Sequence, residues 1–108
     1  MKLHPLVSAL RSEFEAHADA ETAEGMEKYM RDQFRFLGIK KPLRARLLLP
    51  YVKEFRALPE EEWPQVAKQI WDLPRREYQY AAMELCAKKL KSYLPGHLEL
   101  FEYMIQDR

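Results

Sequence analysis

The property that leaves this chain least freedom is the spacing of its apolar residues, which recur at intervals of three and four and nowhere alternate in the two-residue rhythm of a strand. Leu3, Leu6, Val7, Leu10 and Phe14 form a first stripe, entered through Pro5, a residue suited to a first helical turn. Asp19 is placed to cap a second helix striped by Ala23, Met26, Met30 and Leu37, with Tyr29 and Gln33 beside it and Gly25 inside it. A third helix opens near Pro42 and carries Leu47, Leu48, Tyr51, Val52, Phe55 and Leu58, with a bend expected at Pro50, which has no backbone donor. The acidic run Glu60-Glu61-Glu62 suits the positive end of a fourth helix, striped by Trp63, Val66, Ala67, Ile70 and Trp71 and closed by Asp72-Leu73-Pro74. A fifth, from about Arg75, shows Tyr78, Ala81, Ala82, Leu85, Cys86 and Leu90. Pro95-Gly96 ends it and leads into Leu98, Phe101, Met104 and Ile105 of a sixth. These stripes predict an all-α fold of about six helices, stacked as antiparallel pairs.

At 108 residues the chain has room for one modest core, so residues 1–108 are expected to form a single domain. Cys86 is the only cysteine, which excludes an intrachain disulfide and fits a reducing compartment. The opening MKLHPLVSAL is too polar and too short for a secretory signal or a membrane span, and a cytoplasmic location is expected. His4, His17 and His97 share no ligand spacing with one another or with Cys86, so no metal and no cofactor is expected. There is no glycine-rich phosphate loop and no Ser-His-Asp set. Cys86, Trp63 and Trp71 fall on apolar stripes and are read as core.

The net charge of +1 hides a division along the chain. Residues 38–58 carry six basic and one acidic side chain and residues 75–95 five and two, whereas residues 59–74 carry one and four. The first basic segment contains the Gly38-Ile39-Lys40-Lys41-Pro42 turn, in which Gly38 is placed to take a left-handed conformation that stops the second helix and Pro42 to start the third. Pro42-Leu43-Arg44 and Pro74-Arg75-Arg76 each put a proline and a basic residue at a helix start, a weak internal repeat of the kind found in helical solenoids. In a stack of antiparallel pairs alternate helices share a layer, so the basic third and fifth helices should lie side by side. A one-sided basic layer is the footprint of a nucleic-acid backbone binder, although charge segregation also occurs in proteins that bind no polyanion.

Three segments carry a family resemblance: HPLVSALRSEFEAHA at 4–18, AEGMEKYMRDQFRFLGIKKP at 23–42 and IWDLPRREYQYAAMELC at 70–86. In this order and spacing the chain resembles the DNA alkylation repair family, the AlkD-like DNA glycosylases built from HEAT-like helical repeats. The resemblance implies a right-handed α-solenoid of antiparallel helix pairs. It also implies hydrolysis of the N-glycosidic bond of cationic N3- or N7-alkylated purines in double-stranded DNA during base excision repair. A carboxylate there stabilises the oxocarbenium-like sugar, and aromatic faces favour the cationic lesion. The base need not be flipped into a deep pocket, unlike in most glycosylases.

Carried onto this sequence, the resemblance makes Tyr29 lesion-proximal and Lys40, Lys41, Arg44, Arg46, Arg75 and Arg76 the DNA-binding set. For Tyr29 the alternative is a core-edge tyrosine, and for Arg44 and Arg76 a surface ion pair. The family's catalytic aspartate lies in a Trp-Trp-Asp type motif just after the helix that here ends in Met104-Ile105-Gln106-Asp107-Arg108. Members are about twice as long as this chain, as a solenoid with further repeats requires. The chain is therefore expected to be an N-terminal part, or else a shortened paralogue, with no catalytic residue of its own and negligible glycosylase activity alone; Asp107 is not a candidate. It is also expected to associate bacterial nucleoid DNA and to self-associate through an exposed C-terminal helical face. A non-catalytic helical-repeat module that binds DNA or a protein is the alternative.

Overall fold

The computed structural model describes residues 2–91, and among them the backbone forms five helices and no strand. These are α1 (Pro5–Ala16), α2 (Ala20–Tyr29), α3 (Lys41–Arg56), α4 (Trp63–Trp71) and α5 (Arg76–Lys91). The expected sixth helix and the Pro95-Gly96 break lie outside the described residues. Among the described residues no helix is long and apolar enough to cross a membrane.

The stripes read from the sequence are the faces that meet. Leu6, Val7, Leu10 and Phe14 of α1, Leu47, Leu48 and Phe55 of α3, Val66 and Ile70 of α4, and Tyr78, Ala81, Ala82 and Leu85 of α5 make one buried cluster. Each large side chain so buried contributes about 1.5 to 3 kcal/mol. Tyr78 stacks on Phe14 with ring centroids 5.4 Å apart, and Trp63 meets Phe55 edge-on at 6.1 Å.

Contacts at the helix ends fix their directions. Arg44, near the start of α3, stands over Tyr80, near the start of α5. At the other end Lys89 donates from Nζ to the carbonyls of Arg56 and Leu58, at 2.9 and 2.8 Å. α3 and α5 are therefore parallel neighbours, in direct contact as expected, and α4 runs back between their ends to pack on α5. α1 closes the other side against α3 and α4. At its start the His4 ring pairs with Glu62 at 2.6 Å while the His4 amide donates to Gln69 at 2.8 Å. α3 runs unbroken through Pro50, which faces solvent, so the carbonyl that lost its partner can be hydrated.

Two expectations fail. The second helix does not reach Gly38: it ends at Tyr29, and the amides of Arg31 and Asp32 turn back to the carbonyls of Lys28 and Glu27 at 3.0 and 2.8 Å. This is a Schellman-type stop made without glycine, with Arg31 and Asp32 at φ 56° and 60°. Gly38 is left-handed, at φ 95°, but nine residues beyond Tyr29, inside an irregular segment. Trp71, read as core, is an exposed aromatic at the end of α4.

The Asp19 cap is formed, its carboxylate accepting from the Thr22 amide at 3.0 Å. Yet α2 buries only Ala23 and makes no extensive contact with another helix. It rests on the 36–39 segment instead: the Asp19 amide donates to the Leu37 carbonyl at 2.9 Å, and the Glu27 carboxylate accepts from the Phe36 amide at 3.0 Å.

Candidate functional site

The segment between α2 and α3 is irregular, so its amides need partners outside a helix. Glu77 supplies them. It lies in the first turn of α5 on the same side as Ala81 and Leu85, fully buried, and accepts from the amides of Leu37, Gly38 and Ile39 at 2.8, 3.0 and 3.1 Å. One carboxylate thus satisfies three consecutive backbone donors, an arrangement worth more than neutral hydrogen bonds because the acceptor is charged. The Arg76 amide adds a bond to the Arg35 carbonyl at 2.8 Å. The 35–39 segment is thereby fastened to the start of α5.

One helical turn along, Tyr80 and two arginines form a stack. The guanidinium carbons of Arg44 and Arg76 lie 4.8 and 5.0 Å from the centroid of the Tyr80 ring, and Arg76 also lies 4.2 Å from that of Phe34. Arg76 donates to the side chain of Gln79. The Nε atoms of both arginines are buried without a hydrogen-bond partner among the described residues, so the rings, not Nε, hold the guanidinium groups. Burial lowers the pKa of Arg44 from its ordinary value, opposed by the charges of Glu84, Tyr80 and Glu77. An arginine so placed remains a cation.

Two depressions flank this stack. The first is an open groove of about 580 Å³ whose lining includes Gly25, Met26 and Tyr29 of α2, Phe36 and Lys40 of the segment, and Tyr80 of α5. The second is a polar cleft of about 400 Å³ that brings Phe34, Arg35, Trp71, Arg75 and Arg76 together. From Lys40 through Tyr80, Arg76 and Phe34 to Arg75 and Trp71, cations and aromatic rings interleave along one band at the starts of α3 and α5. Acids border it: Glu21 on the groove, Asp72 on the cleft, and Glu27, which pairs with Arg35 at 3.4 Å.

Interleaved cations and rings at paired helix starts are the chemistry that suits an anionic ligand with flat faces. A model of the family described as DNA alkylation repair enzyme matches residues 10–108. The chain belongs to that family. A solved structure of a predicted DNA alkylation repair enzyme from Enterococcus faecalis is similar, with a TM-score of 0.66 and 32% identity over 73% of this chain and 42% of that one. The chain thus spans less than half the length of that relative. Comparison with curated proteins returns no match.

In this DNA alkylation repair family member the candidate residues fall into two groups. Tyr29 is 87% exposed on the wall of the groove, which excludes the core-edge alternative. Lys40 lines the same groove, and Lys41 begins α3 exposed beside it. Arg75, half-buried, lines the cleft with Arg76 and donates to the Pro74 carbonyl at 3.3 Å. Arg44 and Arg76 form no ion pair among the described residues; both are committed to aromatic faces. Arg46 stands apart, because two residues along a helix turn the side chain about 160° away from Arg44. It is exposed and lines neither the groove nor the cleft.

Sequence reasoning missed Glu77, Tyr80 and Phe34. An acid at 77, in step with the apolar Ala81 and Leu85, is a signal for a buried carboxylate with a fixed partner. Tyr80 lies four residues after Arg76, the spacing at which helical side chains meet. Phe34 carries no such signal. Among the described residues, no cluster of His, Cys, Asp and Glu is arranged to hold a metal.

Proposed function

We propose that this chain is the DNA-docking N-terminal part of a DNA glycosylase that releases cationic N3- or N7-alkylated purines, as its family membership suggests. The observation that carries the reading is the band of interleaved cations and aromatic rings running from Lys40 to Arg75. Lysine and arginine there neutralise phosphates, and the starts of α3 and α5 bring the positive ends of two helix dipoles to the same band. Alkylation turns the purine into a good leaving group, so the protein's task is to hold a distorted duplex while charge develops on the sugar. Glu77 is not the acid for that step: buried and saturated by three backbone donors, it is structural. No catalytic role is assigned to a described residue.

The test is a titration of labelled duplex DNA by fluorescence anisotropy between about 50 and about 200 mM salt, where phosphate neutralisation makes affinity fall steeply. Combining Lys40→Glu, Lys41→Glu and Arg75→Glu is expected to weaken binding about tenfold or more and to flatten the salt dependence, whereas Arg46→Glu has a smaller effect. Salt-independent binding, or a triple variant that binds like the parent, overturns the docking surface. Release of alkylated purine by this chain is expected to be negligible. Base release only when the chain is joined to the rest of a longer enzyme distinguishes a glycosylase part from a non-catalytic DNA-binding module.

A further inference from the structure

We infer that the cleft between Phe34, Trp71 and the start of α5 binds a phosphate monoester carried on a nucleoside, the group found at the end of a nucleic-acid strand or in a free mononucleotide. The cleft lies at one end of the docking band, yet a terminal phosphate bound here does not depend on a duplex bound there. Its charge is the reason. Arg35, Arg75 and Arg76 line the cleft, and Asp72 is the one acid that does so among the described residues, which leaves two positive charges in excess. A diester within a strand carries a single negative charge and balances half of that excess. A phosphate monoester carries close to two above its second pKa of about 6, and balances all of it.

The guanidinium groups have donors to give. Among the described residues Arg75 uses one, on the Pro74 carbonyl at 3.3 Å, and Arg76 uses one, on Gln79, while its Nε is buried without a partner. Arg35 meets Glu27 through a single contact of 3.4 Å, and that carboxylate also accepts from the Phe36 amide at 3.0 Å. An arginine fork matches two phosphate oxygens at once. Arg76 is already held on Phe34 and Tyr80, so little of its freedom remains to be lost on binding. A flat face is at hand for the nucleoside. Trp71 is 39% exposed, with no aromatic or cationic partner among the described residues, although its place on the α4 stripe asks for burial. Its indole on the cleft wall gives a base a surface to stack on, and Gln33 and Gln79 bring side-chain amides. The volume of about 400 Å³ falls in the range of small-ligand sites, about 300 to about 1,000 Å³.

Isothermal titration calorimetry of the 108-residue chain compares deoxyadenosine 5′-monophosphate with deoxyadenosine and with inorganic phosphate. The monophosphate is expected to bind about tenfold or more tightly than either fragment. Its affinity is expected to fall about threefold or more from about pH 7.5 to about pH 5.5, as the phosphate takes up its second proton. No histidine lines the cleft among the described residues to titrate in its place. Arg35→Gln combined with Arg75→Gln is expected to remove the advantage of the monophosphate over the nucleoside, with the circular-dichroism melt unchanged. Trp71→Leu weakens the monophosphate about tenfold, the scale of one base stacked on an aromatic ring, and leaves inorganic phosphate as it was. A second arm identifies the carrier. One single strand is titrated with a 5′-phosphate or a 5′-hydroxyl: a preference of about tenfold for the phosphate makes the ligand a strand end, and equal binding makes it the free nucleotide. Equal binding of monophosphate and nucleoside, affinity that does not change with pH, or a double variant that binds like the parent overturns the site. Salt-dependent binding of duplex DNA alongside any of those results leaves the docking surface standing.

Discussion

Glu77 and Gly38 hold the same short stretch of backbone, one from α5 by accepting its amides and the other by leaving room for α2. Glu77→Ala strands three amides that are otherwise bound to one carboxylate, and is expected to cost about 3 kcal/mol or more in urea denaturation. Glu77→Gln keeps the shape but turns an NH₂ group toward backbone donors, so its loss is intermediate. Gly38→Ala has a different cause. At φ 95° a side chain is strained, and its Cβ would collide with the Asp19 carbonyl and come within 2.8 Å of the Ala23 nitrogen. The expected loss is about 2 to 4 kcal/mol, with α2 displaced first. Tyr78, buried, and Cys86, partly buried, contribute to the alkaline limit. Desolvation raises Tyr78 from 10.0 to about 12 and Cys86 from 9.0 to about 11. In each case the folded state keeps a proton that the unfolded chain has released, so stability is full below pH 9.0 and falls as pH rises to about 12. Tyr78→Phe together with Cys86→Ala is expected to flatten that decline in denaturation followed by circular dichroism.

Among the helices, α3 and α5 form the rigid pair and α2 the loosely held one. The pair is fixed at both ends, by Arg44 over Tyr80 at the start and by Lys89 on the Arg56 and Leu58 carbonyls at the finish. Lys89→Met keeps the length of the side chain but removes the donors, and is expected to cost about 2 kcal/mol in urea denaturation. α2 contributes one buried residue and rests on a loop. Its amides are expected to exchange with deuterium well before those of α3 and α5, and DNA that fills the adjoining groove should slow them. Equal protection of α2 and α5 in the free protein would contradict this ordering.

On the scale of the whole molecule, the sequence determined that the described residues are helical and which stripes of α1, α3, α4 and α5 are apolar enough to meet. Apolar spacing is a local property, and a stripe of residues such as Leu6, Val7, Leu10 and Phe14 has one way to leave water. It also placed a proline and a basic residue in the first turn of α3 and just before α5, and the three resembling segments already pointed to the family. Where α2 stops was not legible, because its end is made by Arg31 and Asp32 in a conformation their side chains disfavour. Surrounding contacts hold that turn: Glu77 and the Arg76 amide bind the segment that follows, so it cannot remain helical. Tertiary structure alone also sorted the cations. Arg44 and Arg46 are equal in composition, yet one turns inward to Tyr80 and the other outward to solvent, since direction around a helix acquires meaning only when a neighbour is in place.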